Sequence, residues 1–132
     1  MTVLDTSVVV DYLLGWQAAP DVEAMLVREG SAAAPDLLVF EVLSVLRRLA
    51  ARDELSDERA EGALADLGGM TIELMPSLPL RERAWAMRHR LGAADALFAA
   101  LASELEEPLA TKDAGLAEVA KDHDVPVMLL SA

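Results

Sequence analysis

Short apolar segments alternate with helical patterns along this chain, and that alternation limits the possible folds more than any other feature of the sequence. The apolar segments predict strands at residues 2–5, 31–34, 70–75, 109–111 and 127–130. The helical patterns predict helices at residues 8–14, 20–28, 35–52, 57–67, 79–91, 94–106 and 116–122. Strands that alternate with helices build a parallel sheet, and right-handed crossovers place helices on both of its faces. The chain is therefore predicted to be an α/β domain with a central parallel sheet of about five strands.

Capping and turn residues set the ends of several predicted elements. Gly15 and Gly30 are expected to end the first two helices, because glycine readily adopts the left-handed conformation that closes a helix. Ser7 and Ser56 are expected to cap the N-termini of their helices, since a serine hydroxyl accepts from free backbone N–H groups. Residues 31–34 are predicted as a strand only from their place between two helices.

Length and composition indicate one soluble, cytoplasmic domain over residues 1–132. Apolar residues make up 54% of the chain, which is typical of a globular protein rather than a disordered one. Cysteine is absent, so disulfides, thiolate metal sites and thiol catalysis are excluded. The start of the chain has no basic segment of the kind a signal peptide carries, and no apolar run approaches the ~18 residues of a membrane helix.

Four carboxylates interrupt apolar sequence where folding alone does not explain them: Asp5, Glu41, Asp95 and Asp113. A carboxylate among buried residues costs several kcal/mol unless it is paired or binds a cation. Asp5 ends the first predicted strand and Asp113 follows the fourth, while Asp95 and Glu41 lie near the starts of helices. Because sites in open parallel sheets form at the carboxyl ends of strands, these acids are expected to converge.

Carboxylate oxygens suit a hard cation, so the pattern predicts a site for Mg²⁺ or Mn²⁺ that assists phosphoryl chemistry. Ser7 and Thr111 are candidates for orienting Asp5 or metal-bound water, with capping and strand pairing as equally good explanations of the two hydroxyls. Each acid also has a purely structural interpretation. Asp5 and Asp95 would be helix caps, Asp113 would be a turn residue or the cap of the next helix, and Glu41 would pair with Arg48.

The charge and the aromatic content of the chain say less than the four acids do about what the protein binds. The net charge of −12 argues against non-specific nucleic-acid binding and favours a basic partner. Two clusters of basic residues offer a local positive rim or two solvated helix faces: Arg47, Arg48 and Arg52, and Arg81, Arg83, Arg88, His89 and Arg90. The aromatic residues are too scattered along the sequence for a base-stacking platform, so core packing is expected for Tyr12, Trp16, Phe40, Trp85 and Phe98.

Four sequence blocks resemble the PIN-domain family. In chain order the blocks are Val3-Leu4-Asp5-Thr6-Ser7, Pro35-x-x-x-x-x-Glu41-Val42-Leu43, Ala94-Asp95-Ala96-Leu97-x-Ala99-Ala100-x-Ala102 and Thr111-x-Asp113. Any single block is common, but four in order and spacing across one short chain are specific. Length and the early acid are most similar to the VapC toxins of bacterial VapBC toxin–antitoxin pairs.

The resemblance implies a three-layer α/β/α fold and an endoribonuclease that depends on Mg²⁺ or Mn²⁺, often acting on structured RNA such as transfer RNA. It implies a homodimer that is neutralised by a cognate VapB-type antitoxin. Carried onto this sequence, Asp5 and Asp95 become direct metal ligands, and Glu41 and Asp113 complete the site directly or through water. Lys112 lies between Thr111 and Asp113, where small residues are frequent in the family. Its side chain would touch a phosphate or point outward.

Rival functions fit less of the sequence. A catalytically silent PIN-fold module acting through its partner protein is the main alternative, and the presence of all four acids speaks against it. A receiver domain needs an acid at the end of the third strand, where this chain has Met75 and Pro76. A haloacid-dehalogenase-type phosphatase needs a second aspartate where Ser7 stands.

Overall fold

Five parallel strands form the central sheet in the order β3-β2-β1-β4-β5 in this computed structural model, which describes residues 1–130. The strands are β1 (Val3–Leu4), β2 (Ala32–Pro35), β3 (Ile72–Met75), β4 (Leu109–Thr111) and β5 (Val127–Leu129). The helices are α1 (Thr6–Leu14), α2 (Ala19–Glu29), α3 (Leu38–Ala51), α4 (Asp57–Gly69), α5 (Arg81–Ala86), α6 (Ala93–Leu105) and α7 (Ala114–Asp122). The predicted three-layer α/β/α fold is confirmed.

Strand β1 lies at the centre of the sheet, and both of its residues are fully buried. It pairs with β2 through Val3 and with β4 through Val3 and Leu4. Such wholly apolar strands are typical of parallel sheets that helices cover on both faces. The strand order reverses direction between β1 and β4, which is where ligands bind in open α/β sheets. This order also differs from the 2-1-3-4-5 order of receiver domains.

Helices α1 to α4 pack on one another, while α6 lies against β1, β2 and β4. The close approach of α6 is possible because Ala32, Ala33 and Ala34 of β2 and Ala99 and Ala100 of α6 are all small and buried. The strand predicted at residues 31–34 is therefore confirmed, and its alanines serve packing between layers. None of the helices among residues 1–130 is long and apolar enough to cross a membrane.

The long helix predicted at residues 79–91 is wrong. A 3-10 turn at Leu78–Leu80 leads into the short α5, and residues 87–90 continue in tight turns. Only Leu80, Met87 and Leu91 in this stretch are buried. So few apolar anchors cannot hold a long helix against the core, because helix stability in proteins comes mainly from packing.

The cap predicted at Ser7 is also wrong, whereas the cap at Ser56 is confirmed by its acceptance of the Arg59 N–H at 3.2 Å. Helix α1 begins earlier than predicted, because Asp5 is its N-cap and accepts from the Val8 N–H at 3.2 Å. Ser7 therefore lies inside the helix, where its hydroxyl is free to serve the site. Helix α3 begins at Leu38 because Pro35 remains in β2.

Gly15 turns the chain sharply at the end of α1, with φ of +71°. A Cβ at this position would meet no atom within 4 Å, so the cost of adding one is purely conformational. We expect Gly15→Ala to lower the free energy of unfolding by about 1 kcal/mol in urea denaturation. Gly62→Ala is the matched control, since Gly62 lies in open space within α4 and should gain about 0.5–1 kcal/mol. If both substitutions changed the free energy of unfolding by the same amount in the same direction, this explanation would be wrong.

Candidate active site at the carboxyl ends of the central strands

One cleft of about 490 Å³ brings the four predicted acids together. It opens at the edge of the sheet where β1 and β4 end. The cleft is lined by Asp5, Thr6, Ser7, Val10, Asp11, Trp16, Phe40, Glu41, Ser44, Val45, Arg48, Asp95, Phe98, Lys112 and Asp113. These residues come from α1 and the segments just before and after it, from α3 and α6, and from the loop after β4. The strand order therefore places side chains from distant parts of the chain at a single position.

Asp5 directly follows β1 and is only 5% exposed. Its Oδ1 accepts from the Ser7 hydroxyl at 2.6 Å and from the Val8 N–H, while its Oδ2 accepts from the Thr111 hydroxyl. Burial raises the pKa of Asp5, and the two hydroxyl hydrogen bonds partly offset that effect. The bonds from Ser7 and Thr111 fix the carboxylate plane at the base of the cleft.

Asp113 is the N-cap of α7, as the structural interpretation predicted. Its Oδ1 accepts from the Gly115 N–H at 2.8 Å and the Leu116 N–H at 3.2 Å. Its own N–H donates to the Thr111 hydroxyl at 3.0 Å. Thr111 therefore links Asp5 to Asp113, and both acids face the same cleft. Capping and a place in the site coexist in these two residues.

Glu41 lies in the first turn of α3 and accepts from the Thr6 hydroxyl at 2.5 Å. The purely structural interpretation of Glu41 predicted an ion pair with Arg48, and the ion pairs among residues 1–130 do not include it. Thr6 had not been singled out from the sequence. Its position beside Asp5 in the Asp5-Thr6-Ser7 segment, where two hydroxyls flank the first acid, was an available signal.

Asp95 lies in the first turn of α6 and is half-buried. Loss of hydration raises its pKa most, and the negative charges of Asp113, Asp5 and Glu41 raise it further. Gly92 is the N-cap of α6, so Asp95 is not the capping residue. Asp95 therefore lies in the negative field of the other three acids, and that field makes its own carboxyl group costlier to ionise.

A hard divalent cation fits this donor set, because carboxylate and hydroxyl oxygens are the ligands it prefers. No group of three or more ligand side chains among residues 1–130 lies close enough to hold an ion unaided. Mg²⁺ usually binds through only one or two carboxylates and keeps several waters, so such a group is not required. Asp5 and Asp95 are the residues that the family resemblance predicts as direct ligands, and both line this cleft.

The sequence analysis missed a buried ion pair beside the acids. Asp11 was not among the acids singled out from the sequence, yet it is 2% exposed. Its carboxylate accepts from the Lys112 ammonium at 2.9 and 3.0 Å and from the Ala18 N–H at 2.9 Å. The Lys112 side chain therefore points inward, and its ammonium group is paired with the Asp11 carboxylate. The signal was present, because Asp11 interrupts the apolar Val8-Val9-Val10 run just as the other acids interrupt theirs.

The expectation of core packing is correct for Phe98 but wrong for three other aromatic residues. Trp16 is 42% exposed and Phe40 is 70% exposed, and both line the cleft. Trp85 is exposed on another surface, where the Arg88 guanidinium lies 4.7 Å from its ring centroid. Aromatic residues far apart in sequence therefore meet at the acids, which spacing alone did not reveal.

Of the two basic clusters, only one reaches the cleft, and through a single residue, Arg48. In the other cluster, Arg83 pairs with Glu104 at 2.8 Å and Arg90 pairs with Asp122 at 2.6 Å. Neither side chain lines the cleft around the acids. The positive charge beside the acids therefore consists of Arg48 and Lys112.

The chain is an α/β domain with carboxylates at its topological switch point, a class of protein suited to metal-assisted chemistry on phosphodiesters. The PIN domain family matches residues 2–122, and this chain belongs to that family. It is 41% identical over 116 residues to "Ribonuclease VapC1" of Mycobacterium tuberculosis, with 87% of both chains covered. It is 29% identical over 131 residues to "Ribonuclease VapC12" of the same organism, with 99% of this chain and 100% of the relative covered.

Two solved structures of other proteins share the fold of this chain. VapBC2 from Rickettsia felis, bound to a DNA fragment from its promoter, aligns with a TM-score of 0.72 at 14% identity, covering 98% of both chains. FitAcB from Neisseria gonorrhoeae aligns with a TM-score of 0.69 at 23% identity, covering 97% of this chain and 96% of that one. At these identities the alignments establish the shared fold. The predicted PIN-like, VapC-type character of the chain is confirmed by the family match and the sequence relatives.

Proposed function

We propose that the chain is a metal-dependent endoribonuclease toxin of a type II toxin–antitoxin pair, formed by a single PIN domain over residues 1–132. The observation that carries the proposal is the convergence of Asp5, Glu41, Asp95 and Asp113 on one cleft. The 41% identity to a VapC ribonuclease supports the choice of RNA as substrate. Such a site suits hydrolysis of a phosphodiester bond.

Each acid has a distinct role in this proposal. Asp5 and Asp95 hold Mg²⁺ or Mn²⁺ directly, and Glu41 and Asp113 complete the site directly or through water. Once bound, the cation neutralises the phosphate and lowers the pKa of a water. Ser7 and Thr111 donate to Asp5 and keep its carboxylate in one orientation. Thr6 does the same for Glu41. These hydroxyls make the site rigid before substrate arrives.

The acidic balance of the chain supports a basic protein partner. With a net charge of −12, the cleft would attract an arginine-bearing segment of a VapB-type antitoxin. The alignment with VapBC2 supports this class of partner, because its name joins VapB to a VapC chain of the same fold. FitAcB shares that fold as well. We include a homodimer, a cytoplasmic location and a structured RNA such as transfer RNA as finer parts of the proposal.

A catalytically silent PIN-fold module acting through its partner is the second candidate. The observation that favours it is the lack of a preassembled group of three metal ligands among residues 1–130. The observation against it is the retention of four acids together with the hydroxyls of Thr6, Ser7 and Thr111 that orient two of them. A module without chemistry has no need of oriented carboxylates.

The proposed activity is tested by incubating the purified chain, free of any partner, with total cellular RNA. Mg²⁺ or Mn²⁺ is expected to give discrete fragments, and EDTA is expected to give none, because the acids alone supply no nucleophile. Removal of metal should lower the rate by at least about a thousand-fold. Fragments that persist in EDTA would contradict metal dependence. Intact RNA under all metal conditions would favour the silent module.

A further inference from the structure

Two solvent-exposed aromatic rings stand at the cleft of the acids. Trp16 follows α1 in a turn, and Phe40 lies in the first turn of α3. Neither ring belongs to the buried core, although both line the same cleft as the four acids. Single exposed apolar side chains are normal on protein surfaces. Two aromatic rings from different elements at one carboxylate site are not accounted for by folding.

The backbones that carry these rings are held firmly. The Trp16 N–H donates to the Asp11 carbonyl at 2.8 Å, and the Trp16 carbonyl accepts from the Ala19 N–H at 3.0 Å. The Asp11 carboxylate also accepts from the Ala18 N–H. Phe40 is within a helix and directly precedes Glu41. Aromatic side chains have only two torsions to fix, so rings on such supports bind ligands at low entropic cost.

The ligand that needs both chemistries is a nucleotide strand, which carries phosphates and planar bases side by side. We propose that Trp16 and Phe40 form a base-stacking rim that holds unpaired bases next to the phosphate at the acids. The assignment rests on the proposed ribonuclease function and narrows its substrate to unpaired nucleotides. Bases within a duplex are already stacked on one another, so their faces are not available to the rim.

The charge of the chain makes stacking the main source of RNA affinity. With a net charge of −12, the protein surface repels phosphates, and the cleft offers only Arg48 and Lys112 in return. The Lys112 ammonium is already paired with Asp11. Base stacking does not depend on counterion release, unlike phosphate contacts. The rim therefore predicts that RNA affinity does not fall steeply as salt is added, unlike that of a protein that binds through phosphate contacts.

Trp16 itself can report on stacking. The chain has two tryptophans, so Trp85→Phe leaves Trp16 as the only one. On this background, with Asp95→Asn to prevent cleavage, an eight-nucleotide adenosine strand in Mg²⁺ is titrated while tryptophan fluorescence is recorded. We expect quenching by this strand. A matched abasic strand, and the same strand annealed to its complement, are expected to leave the fluorescence unchanged.

Alanine variants then measure the contribution of each ring. In the active chain, Trp16→Ala and Phe40→Ala should each raise KM for the unpaired strand roughly 5- to 100-fold, with a smaller change in kcat. Trp16→Phe and Phe40→Tyr should keep KM within a few-fold of the unchanged chain. Trp85→Ala is the matched control, since this exposed tryptophan lies away from the cleft and should leave KM unchanged.

Different results separate the two proposals. If the unchanged chain cleaves RNA but KM is the same in Trp16→Ala and Phe40→Ala, the stacking rim is wrong and the ribonuclease stands. If the unchanged chain binds and cleaves no RNA, the ribonuclease itself is wrong, and the rim falls with it. If the two variants keep RNA affinity but no longer bind a basic antitoxin segment, the rings belong to a protein interface and the rim is wrong.

Discussion

Asp95→Asn is expected to abolish RNA cleavage while it stabilises the metal-free fold. The substitution removes a carboxylate placed to hold the cation, which should lower the rate by at least about a thousand-fold. It also removes a half-buried charge that Asp113, Asp5 and Glu41 repel. Single stabilising substitutions commonly gain about 0.5–2 kcal/mol, and at active sites the gain often comes at the cost of function. Asp95 suits this test because no side-chain hydrogen bond from Asp95 would be lost among residues 1–130.

The stability gain should depend on pH in a defined direction. Folding raises the pKa of Asp95, so the folded state binds its proton more tightly than the unfolded state does. Below the ordinary pKa of aspartate both states are protonated, and this residue costs nothing. As the pH rises from that value through the folded-state pKa, the unfolded state is favoured, and the cost is fully present above it. The advantage of Asp95→Asn should therefore grow from acid to neutral pH.

Thermal denaturation in EDTA at several pH values measures this difference. Asp66→Asn is a control, because Asp66 is an exposed aspartate on α4 and should change the melting temperature little. Adding Mg²⁺ should then stabilise the unchanged chain, by about 2.7 kcal/mol at a hundred times the dissociation constant, but not Asp95→Asn. A variant that is less stable than the unchanged chain at neutral pH, or one that still cleaves RNA, would refute the role given to Asp95.

The parts of the fold that sequence predicted are those dictated by burial. Strands β1 and β4 are short apolar runs that end in polar residues, and such runs are typical of parallel sheets that helices cover on both faces. From that geometry alone, Asp5 and Asp113 had to lie at one edge of the sheet. Asp95 and Glu41 joined them because the helices that carry them begin at the same edge.

The parts that sequence did not predict depend on contacts between distant residues. The Asp11–Lys112 pair joins positions separated by 101 residues, so the local pattern marks Asp11 but does not identify its partner. Asp5 and Ser7 were both candidates for the N-cap of α1, and Asp5 takes that position. Its carboxylate is also held by a hydrogen bond from Thr111, 106 residues away, which a local sequence pattern does not show. Trp16 and Phe40 are apolar by composition, so only the path of the chain shows that they face the cleft.

Lys112→Met is expected to destabilise the chain by about 2–3 kcal/mol. Without the ammonium, the carboxylate of Asp11 stays buried with the Ala18 N–H as its remaining donor. Breaking a fully buried pair costs about 3–5 kcal/mol, and the value is smaller here because water reaches Lys112. The Lys112 side chain is 23% exposed. Urea denaturation measures the loss. The double variant Asp11→Asn/Lys112→Met should recover most of it, since the asparagine carbonyl still accepts from Ala18 without a charge.

The same two variants separate stability from chemistry. Thr111 and Asp113 are held by bonds to Asp5 and to the start of α7, which the double variant leaves intact. Its RNA cleavage should therefore approach that of the unchanged chain. A double variant no more stable than Lys112→Met would mean that the lost side-chain packing, not the unpaired charge, causes the destabilisation. A double variant that folds well but cleaves a hundred-fold more slowly would show that the Asp11–Lys112 pair, which lines the cleft, acts in the chemistry and not only in folding.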